Sequence, residues 1–202
     1  MIFRLRPGER LLLASSSPRR LDLLQSCGLT PLVYSPECDE RVLPGEGPAE
    51  IVRRLSLLKA RVVAECDPGA WVIGGDTIVV TNGEVLGKPV DEADAARMLR
   101  LLQGTTHEVW GGFAVVSGRG HVAHSEVHTT RVTFTPMSEG WIRRYVASGE
   151  PLGKAGSYAI QGLGVQFVSA IEGSYTNVVG LNLPALLAAL QTLKVIELTG
   201  HD

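Results

Sequence analysis

Short apolar runs alternate along this chain with segments in which apolar residues recur every three or four positions. The run Leu11–Ala14 predicts a buried strand, and the leucines that follow Pro18 begin a helical pattern. Asn82-Gly83 predicts a two-residue hairpin turn that leads into residues 84–86. Further strands are predicted over residues 71–80, 107–116, 122–134 and 165–171, and helices over residues 18–27, 48–65, 91–104, 137–147 and from 182 onward. Strands that alternate with helices and include hairpins predict an α/β domain with a mixed β-sheet.

Length and charge narrow the class of protein. At 202 residues the chain is expected to form a single domain, and its 45% apolar and 20% charged residues are typical of a globular protein. A net charge of −2 argues against a general nucleic-acid-binding or anionic-membrane surface, and no apolar run reaches the length of a membrane-spanning helix. The three cysteines are odd in number and lack the spacing of a zinc or redox motif. We therefore expect a cytoplasmic protein with reduced thiols that binds neither nucleic acid nor membrane.

The segment after the first predicted strand carries two arginines at the start of a helix. Ser17 is a suitable N-cap and Pro18 a suitable first helical residue, so Arg19 and Arg20 fall in the first turn. The helix dipole already places partial positive charge there, so two added cations are unfavourable unless an anion binds. A phosphate group held by backbone N–H groups and arginine side chains would account for this pattern. The alternative is a solvated arginine pair, and this segment alone does not decide between the two.

Two charged residues fall among apolar neighbours. Lys59 lies within the apolar arc of the second predicted helix, where an ammonium group must either extend to solvent or meet an anion. Replacing it by alanine is expected to cost little stability, because a buried cation is removed. Asp76 follows two glycines in a strand with no other charge between Trp71 and Val80, so its carboxylate needs a cation, a metal or hydrogen-bond donors. A structural aspartate held by backbone amides is the alternative.

Two more polar residues are candidates for contact with a ligand. Continuing the hairpin pairing beyond Asn82-Gly83 places Thr77 opposite Lys88, within one residue of the level of Asp76. A solvated lysine at the sheet edge is the alternative for Lys88. Gln161 lies in a glycine-rich stretch, where backbone N–H groups can turn towards a ligand. Its amide could read both a donor and an acceptor on the edge of a base.

Taken in order, several sequence blocks resemble the Maf family of nucleotide pyrophosphatases. The blocks span residues 11 to about 190 and are A-S-S-S-P-R-R-L-D-L-L, D-E-R with V-R-R-L-S-L-L-K-A, G-G-D-T-I-V-V, N-G-E-V-L-G-K-P, G-T-T-H-E-V, K-A-G-S-Y-A-I-Q-G-L-G and I-E-G-S-Y-T-N-V-V-G-L-N-L. The resemblance implies an ITPase-like α/β fold of the Maf type, with a central mixed, twisted β-sheet flanked by helices and two lobes that enclose a substrate cleft. It further implies that residues 1–202 form one nucleotide pyrophosphatase domain and that the protein is a homodimer.

The resemblance also implies an activity, which is hydrolysis of nucleoside triphosphates to the monophosphate and pyrophosphate with a divalent cation, Mg²⁺ or Mn²⁺. The D-T at 76–77 and the I-Q-G at 160–162 look like the branch of the family that acts on dTTP and UTP. The branch that acts on 7-methyl-GTP tends to carry D-Q and an acidic residue in these places. The remaining alternative is a nucleotide-binding regulator of septum formation without turnover, against which the intact Asp76 and Lys88 argue.

Residue roles follow from the same resemblance. Asp76 is the expected proton acceptor, and Asp76 and Glu40 are the expected metal ligands, although the sequence leaves open which carboxylate binds the metal and which takes the proton. The departures from the family pattern are Ser16, where glycine is common, and Gly75, where alanine is common. The predicted catalytic residues are Asp76, Lys88, Lys59 and Glu40, and the predicted substrate-binding residues are Ser17, Arg19, Arg20, Thr77 and Gln161.

Overall fold

The computed structural model describes residues 2–200, so residues 1, 201 and 202 of the predicted domain lie outside its described part. The strands are β1 (Phe3–Leu5), β2 (Leu11–Ala14), β3 (Leu32–Tyr34), β4 (Trp71–Thr81), β5 (Glu84–Leu86), β6 (Thr106–Ser117), β7 (Val122–Phe134), β8 (Val168–Glu172) and β9 (Ile196–Leu198). The helices are α1 (Pro18–Ser26), α2 (Pro48–Ala64), α3 (Glu92–Leu102), α4 (Glu139–Ala147), α5 (Tyr175–Val179) and α6 (Leu183–Thr192). Short 3-10 helices cover Ala155–Ser157 and Leu163–Phe167.

Seven strands form one mixed sheet in the order β3-β2-β4-β6-β7-β8, with β5 paired to β4. Strand β2 runs parallel to both neighbours, so that Leu12 lies opposite Leu32 on one side and Val72 on the other. The pairs β4–β5 and β7–β8 are antiparallel, and β1 and β9 form a separate antiparallel pair. The predicted α/β fold with a central mixed sheet flanked by helices is therefore confirmed.

The chain divides into two compact units, in line with the predicted two lobes. Within the described residues, the first unit contains 2–76, 111–128 and 180–200, and the second contains 77–110 and 129–179. Each of the strands β4, β6 and β7 therefore continues from one unit into the other along the chain. That residues 1–202 act as one functional domain stays a prediction.

A glycine sets the packing of α2 in the first unit. A Cβ atom at Gly74 in β4 would overlap the carbonyl oxygen of Ser56 and would lie 2.8 Å from the Cβ atom of Ala60. Only a residue without a side chain lets the helix approach the strand so closely. Around this contact lies an apolar cluster from β2, α2, β4 and β6, which includes Leu12, Ala14, Ala60, Val63, Ala64, Val72, Ala114 and Val116. The close approach brings Lys59, the neighbour of Ala60, to the β4 residues that follow Gly74.

The hairpin prediction is partly confirmed. Asn82 and Gly83 have φ values of 49° and 78°, as the two central positions of a type I′ turn require. The β4–β5 pairing runs from Thr81 opposite Glu84 to Val79 opposite Leu86 and ends there. The expected pairing of Thr77 with Lys88 is therefore wrong. Beyond the pairing, the carbonyl of Gly87 accepts a hydrogen bond from the Gly156 N–H at 3.1 Å, so the chain at this point is bound to the glycine-rich loop.

The predicted helices are present with ends that shift by one or two residues, whereas the predicted start of one strand is wrong. The strand expected over 165–171 begins only at Val168, because Leu163–Phe167 forms a 3-10 helix. The short elements β1, β3, β9 and α5 were not predicted. Across residues 2–200, no helix has both the length and the apolar character needed to cross a membrane.

Candidate active site

The start of α1 is built around a buried arginine. Arg20 is 9% exposed, and its guanidinium donates from Nη1 to Ser15 Oγ at 3.0 Å and from Nε to the carbonyl of Gly180 at 2.8 Å. Ser17 occupies the N-cap position, as predicted, but its side chain makes no capping bond; instead its N–H donates to Ser15 Oγ at 3.2 Å. Ser15 therefore fixes both the backbone before the helix and the buried guanidinium.

Positive charge accumulates at this helix end. Burial lowers the pKa of Arg20; the charge of Asp76 raises it, and the charge of Arg19 lowers it. Burial also lowers the pKa of Arg19, which is half-buried. A guanidinium remains protonated under physiological conditions, so these directions describe a cost of holding two desolvated cations together. A bound anion would offset that cost, which favours the phosphate interpretation of this segment.

Lys59 bridges two carboxylates. Its Nζ donates to Asp76 Oδ1 at 2.7 Å and to Glu40 Oε2 at 2.8 Å. The side chains of Lys59 and Asp76 are 7% and 9% exposed, whereas that of Glu40 is 42% exposed. The ammonium group has thus met an anion, and Asp76 is satisfied by a cation. The two carboxylates that were predicted to bind a metal therefore meet at the ammonium group of Lys59, and Asp76 is buried whereas Glu40 is open to solvent.

The loop that carries Glu40 is anchored to α2. Arg54 donates from Nη2 to the carbonyl of Arg41 at 2.9 Å and to Glu46 Oε2 at 2.7 Å. Glu46 in turn accepts from the N–H of Leu43 at 2.9 Å. The same helix therefore supplies Lys59 at its inner face and Arg54 at the loop, and both contacts fix the position of Glu40.

The other predicted site residues belong to the second unit. Thr77 follows Asp76 in β4 and is half-buried, and Lys88 is exposed beyond β5. Gln161 is exposed at the tip of a β-turn, in which the N–H of Gly162 donates to the carbonyl of Ala159 at 3.2 Å. The structure thus brings Arg20, Glu40, Lys59 and Asp76 together in the first unit and places Thr77, Lys88 and Gln161 in the second.

Ser15, Gly180 and Arg54 were not predicted to take part in the site. Ser15 lies two residues before Ser17, which was predicted to bind substrate, so its place in the sequence was a usable signal. Gly180 contributes only its carbonyl oxygen, which no residue pattern reveals. No feature of the sequence distinguishes Arg54 from an ordinary arginine on the surface of a helix.

Comparison with known proteins places the chain in a family. Residues 10–193 match the family model described as Maf-like protein. The chain belongs to the Maf family. The dTTP/UTP pyrophosphatase of Pelotomaculum thermopropionicum is 51% identical to this Maf protein over 186 residues, which cover 91% of this chain and 96% of that one. The dTTP/UTP pyrophosphatases of Geobacter sulfurreducens and Symbiobacterium thermophilum are 47% and 51% identical and cover 91% and 87% of this chain, with 96% and 89% of their own lengths matched.

One solved structure is more distant. A nucleoside-triphosphatase/dITP/XTP pyrophosphatase from Mycobacterium abscessus superimposes on this Maf protein with a TM-score of 0.45 and 17% identity, covering 91% of this chain and 97% of the other. That likeness is too weak to support an inference about the site. The Maf resemblance stated from the sequence blocks is confirmed by the family match and by the relatives.

Proposed function

We propose that this Maf protein is a nucleoside triphosphate pyrophosphatase that hydrolyses dTTP and UTP to the monophosphate and pyrophosphate. Relatives named for this activity are 47–51% identical to it over most of both chains. The observation that carries the proposal is the buried Asp76 carboxylate, held by Lys59 in the unit that also carries two arginines at a helix start. A carboxylate fixed near a concentration of positive charge suits attack of water on a polyanionic phosphate chain.

The start of α1 binds phosphate oxygens. Arg20 is already oriented by Ser15 and Gly180, so little side-chain entropy is lost when an anion arrives. Arg19 lies one residue earlier and can fork around the same group, while Ser17 offers its hydroxyl and sits at the positive end of the helix dipole. Lys88, exposed beyond β5, neutralises a further part of the triphosphate charge.

Asp76 orients and deprotonates the water that attacks the α-phosphorus. Lys59 donates to Oδ1 and so helps to orient the carboxylate, and Oδ2 is the atom we assign to the water. The new bond forms between the water oxygen and the α-phosphorus while the bond from that phosphorus to the bridging oxygen breaks. Pyrophosphate leaves with the electron pair of that bond, and the proton of the water passes to Asp76.

A divalent cation fits the residues present. Carboxylate oxygens are the ligands that Mg²⁺ and Mn²⁺ prefer, and Glu40 and Asp76 are neighbours because each accepts a hydrogen bond from Lys59 Nζ. Within residues 2–200, no set of three or more histidine, cysteine, aspartate or glutamate side chains is arranged to hold a metal, so the remaining ligands would be phosphate oxygens and water. A bound Mg²⁺ or Mn²⁺ would supply charge neutralisation on the phosphates and acidify water.

Gln161 reads the base. Uracil and thymine present a carbonyl, an N–H and a carbonyl along one edge, and an amide can match an adjacent donor and acceptor. Cytosine replaces the N–H by an acceptor and one carbonyl by an amine, so a fixed amide meets a mismatch. Sites built on hydrogen bonds discriminate more strongly than apolar pockets, because a mismatch leaves polar groups unpaired. Thr77, next to Asp76, is the second residue we assign to substrate choice.

The test is a substrate panel. The purified protein is incubated with UTP, dTTP, CTP, ATP, GTP and 7-methyl-GTP in the presence of Mg²⁺ or Mn²⁺, and nucleotide products are separated by chromatography. We expect kcat/KM for UTP and dTTP to exceed that for CTP and the purines by about a hundredfold or more. Binding of nucleotide without turnover would instead support the septum-formation regulator, and a preference for 7-methyl-GTP would support the other branch. Sedimentation of the same sample tests the predicted homodimer.

A further inference from the structure

The β-turn that presents Gln161 is bound by two side chains from outside the turn, Tyr145 and Glu150. Tyr145 in α4 accepts a hydrogen bond at Oη from the N–H of Ala159 at 3.1 Å, immediately before the turn. Glu150 accepts one at Oε2 from the N–H of Leu163 at 2.8 Å and one at Oε1 from the N–H of Gly164 at 2.9 Å, immediately after it. The turn is therefore held at both of its ends.

The two side chains also bind each other. The Tyr145 hydroxyl donates to Glu150 Oε1 at 2.8 Å, so one hydroxyl and one carboxylate form a continuous clamp across the base of the turn. Tyr145 is 4% exposed, and its ring packs edge-on against Phe167 with 4.7 Å between the ring centroids. The N–H of Glu150 donates to Ser148 Oγ at 3.2 Å. The clamp thus rests on α4 and the core of the second unit, which are rigid elements, and acts on a loop.

Two glycines make room for the clamp. A Cβ atom at Gly162 would overlap the Glu150 carboxylate, and one at Gly164 would lie 2.8 Å from Tyr145 Oη and 2.7 Å from the carbonyl oxygen of Ala159. Side chains at these positions would push the carboxylate and the hydroxyl away from the backbone. The absence of side chains at Gly162 and Gly164 therefore lets Glu150 and Tyr145 lie against the turn.

The carboxylate is ionised in this arrangement. Burial alone would raise the pKa of Glu150, but hydrogen bonds from the Leu163 and Gly164 N–H groups and from the Tyr145 hydroxyl outweigh it, so the pKa is lowered. An ionised carboxylate can accept all three donors, whereas a neutral amide of the same shape cannot. Two of these charge-assisted bonds hold the backbone after the turn and the third links the carboxylate to Tyr145, so together they favour one conformation of the turn.

We infer that Glu150 and Tyr145 are positioning residues that hold the Gln161 turn in the conformation that discriminates uracil and thymine from cytosine. The inference rests on the proposed function. Neither side chain has to touch the nucleotide; each acts through the backbone on either side of Gln161. A Gln161 amide that moves freely would pair with either pyrimidine, since discrimination needs a donor and an acceptor held in fixed places.

The variants that test this change the clamp while preserving its shape. Glu150→Gln keeps the volume of the side chain but replaces one acceptor oxygen by an NH₂ group, so at least one of the three donors loses its partner. Tyr145→Phe removes the hydroxyl that links Ala159 to Glu150 and leaves the ring in the core. Glu139→Gln is the matched control. It makes the same chemical change at a residue of α4 that forms an exposed ion pair with Arg100.

The readout is the ratio of kcat/KM for UTP to that for CTP, measured for the parent, the three variants and Gln161→Ala. We expect Glu150→Gln and Tyr145→Phe to lower the ratio about tenfold or more, the control to leave it unchanged, and Glu150→Gln to have no further effect in the Gln161→Ala background. Amide hydrogen exchange at Leu163 and Gly164 should accelerate in Glu150→Gln and not in the control.

The UTP-to-CTP ratio of the parent enzyme distinguishes failure of the positioning role from failure of the proposed function. If the parent discriminates but the clamp variants keep its ratio, losing activity on UTP and CTP equally or only losing thermal stability, the positioning role is overturned and the proposed function stands. If the parent itself hydrolyses UTP and CTP equally, both the proposed function and the inference are overturned. Unchanged hydrogen exchange at Leu163 and Gly164 in Glu150→Gln would contradict the clamp itself.

Discussion

Replacing Lys59 by methionine should destabilise the protein, although it removes a buried charge. Methionine has about the length of the lysine stem and fills the same space against α2 and β4. The change leaves the buried Asp76 without the ammonium group that lies 2.7 Å from its Oδ1. From the sequence alone we expected little loss of stability. The pairing revises that expectation, because removing one partner of a buried pair leaves the other charge uncompensated.

The size of this loss in stability depends on how deeply the Lys59–Asp76 ion pair is buried. Breaking a buried ion pair in this way costs about 3–5 kcal/mol, whereas an exposed pair contributes about 0–1 kcal/mol. The contact with Glu40, whose side chain is 42% exposed, belongs to the second class. Arg20 stays close enough to Asp76 to offset part of the loss. We therefore expect Lys59→Met to lower the free energy of unfolding by about 3 kcal/mol and the melting temperature by about 6–12 °C.

Urea unfolding at pH 7.5, followed by circular dichroism, measures this loss in a double-mutant cycle with Asp76→Asn. In the Asp76→Asn background Lys59 no longer compensates a buried anion, so Lys59→Met should cost about 1 kcal/mol or less, which gives a coupling of about 2 kcal/mol between the two sites. A Lys59→Met protein that is as stable as the parent would show that the Lys59–Asp76 pair does not stabilise the fold. So would an equal loss in the two backgrounds.

Three further predictions concern catalysis and pH. Asp76→Asn should retain nucleotide binding, measured by calorimetry, and should lower kcat at least about a thousandfold, since the amide cannot accept a proton. A loss in kcat below tenfold would mean that Asp76 is not the base. Arg19→Ala should raise KM for UTP at least about tenfold with a melting temperature close to that of the parent, whereas unchanged kinetics would remove it from the phosphate site. Burial lowers the pKa of His107 to about 4. The unfolded chain takes up this proton near pH 6.5, so between these values the unfolded state binds more protons and stability falls as pH falls. In urea titrations His107→Gln should lose about 2 kcal/mol less than the parent between pH 7 and pH 5, and equal losses would contradict the assignment.

Local pattern was enough to find the residues of the first unit but not their partners. Lys59 and Asp76 stood out because each is a charge among apolar neighbours. That they bind each other depends on how closely α2 packs on β4, which Gly74 decides. The carbonyl of Gly180, which orients Arg20 from 160 positions along the chain, leaves no mark in any residue pattern.

The misjudged elements also have physical reasons. The strand predicted over residues 165–171 begins three residues late, because the N–H of Val165 donates to the carbonyl of Gly162 at 3.2 Å in the 3-10 helix and is then unavailable to a sheet. The β4–β5 pairing stops at Leu86, so Lys88 does not continue the ladder that the turn residues predicted. Strands β1 and β9 are three residues long and pair with each other across nearly the whole chain, which a local pattern cannot reveal.

Hydrolysis of UTP in water enriched in oxygen-18 shows whether Asp76 directs water to the α-phosphorus. Products from the parent and from Asp76→Asn are separated and their masses measured. We expect UMP and pyrophosphate as products, with the heavy oxygen in UMP and with formation of labelled UMP nearly abolished in Asp76→Asn. Heavy oxygen in pyrophosphate, or UDP and inorganic phosphate as products, would contradict it.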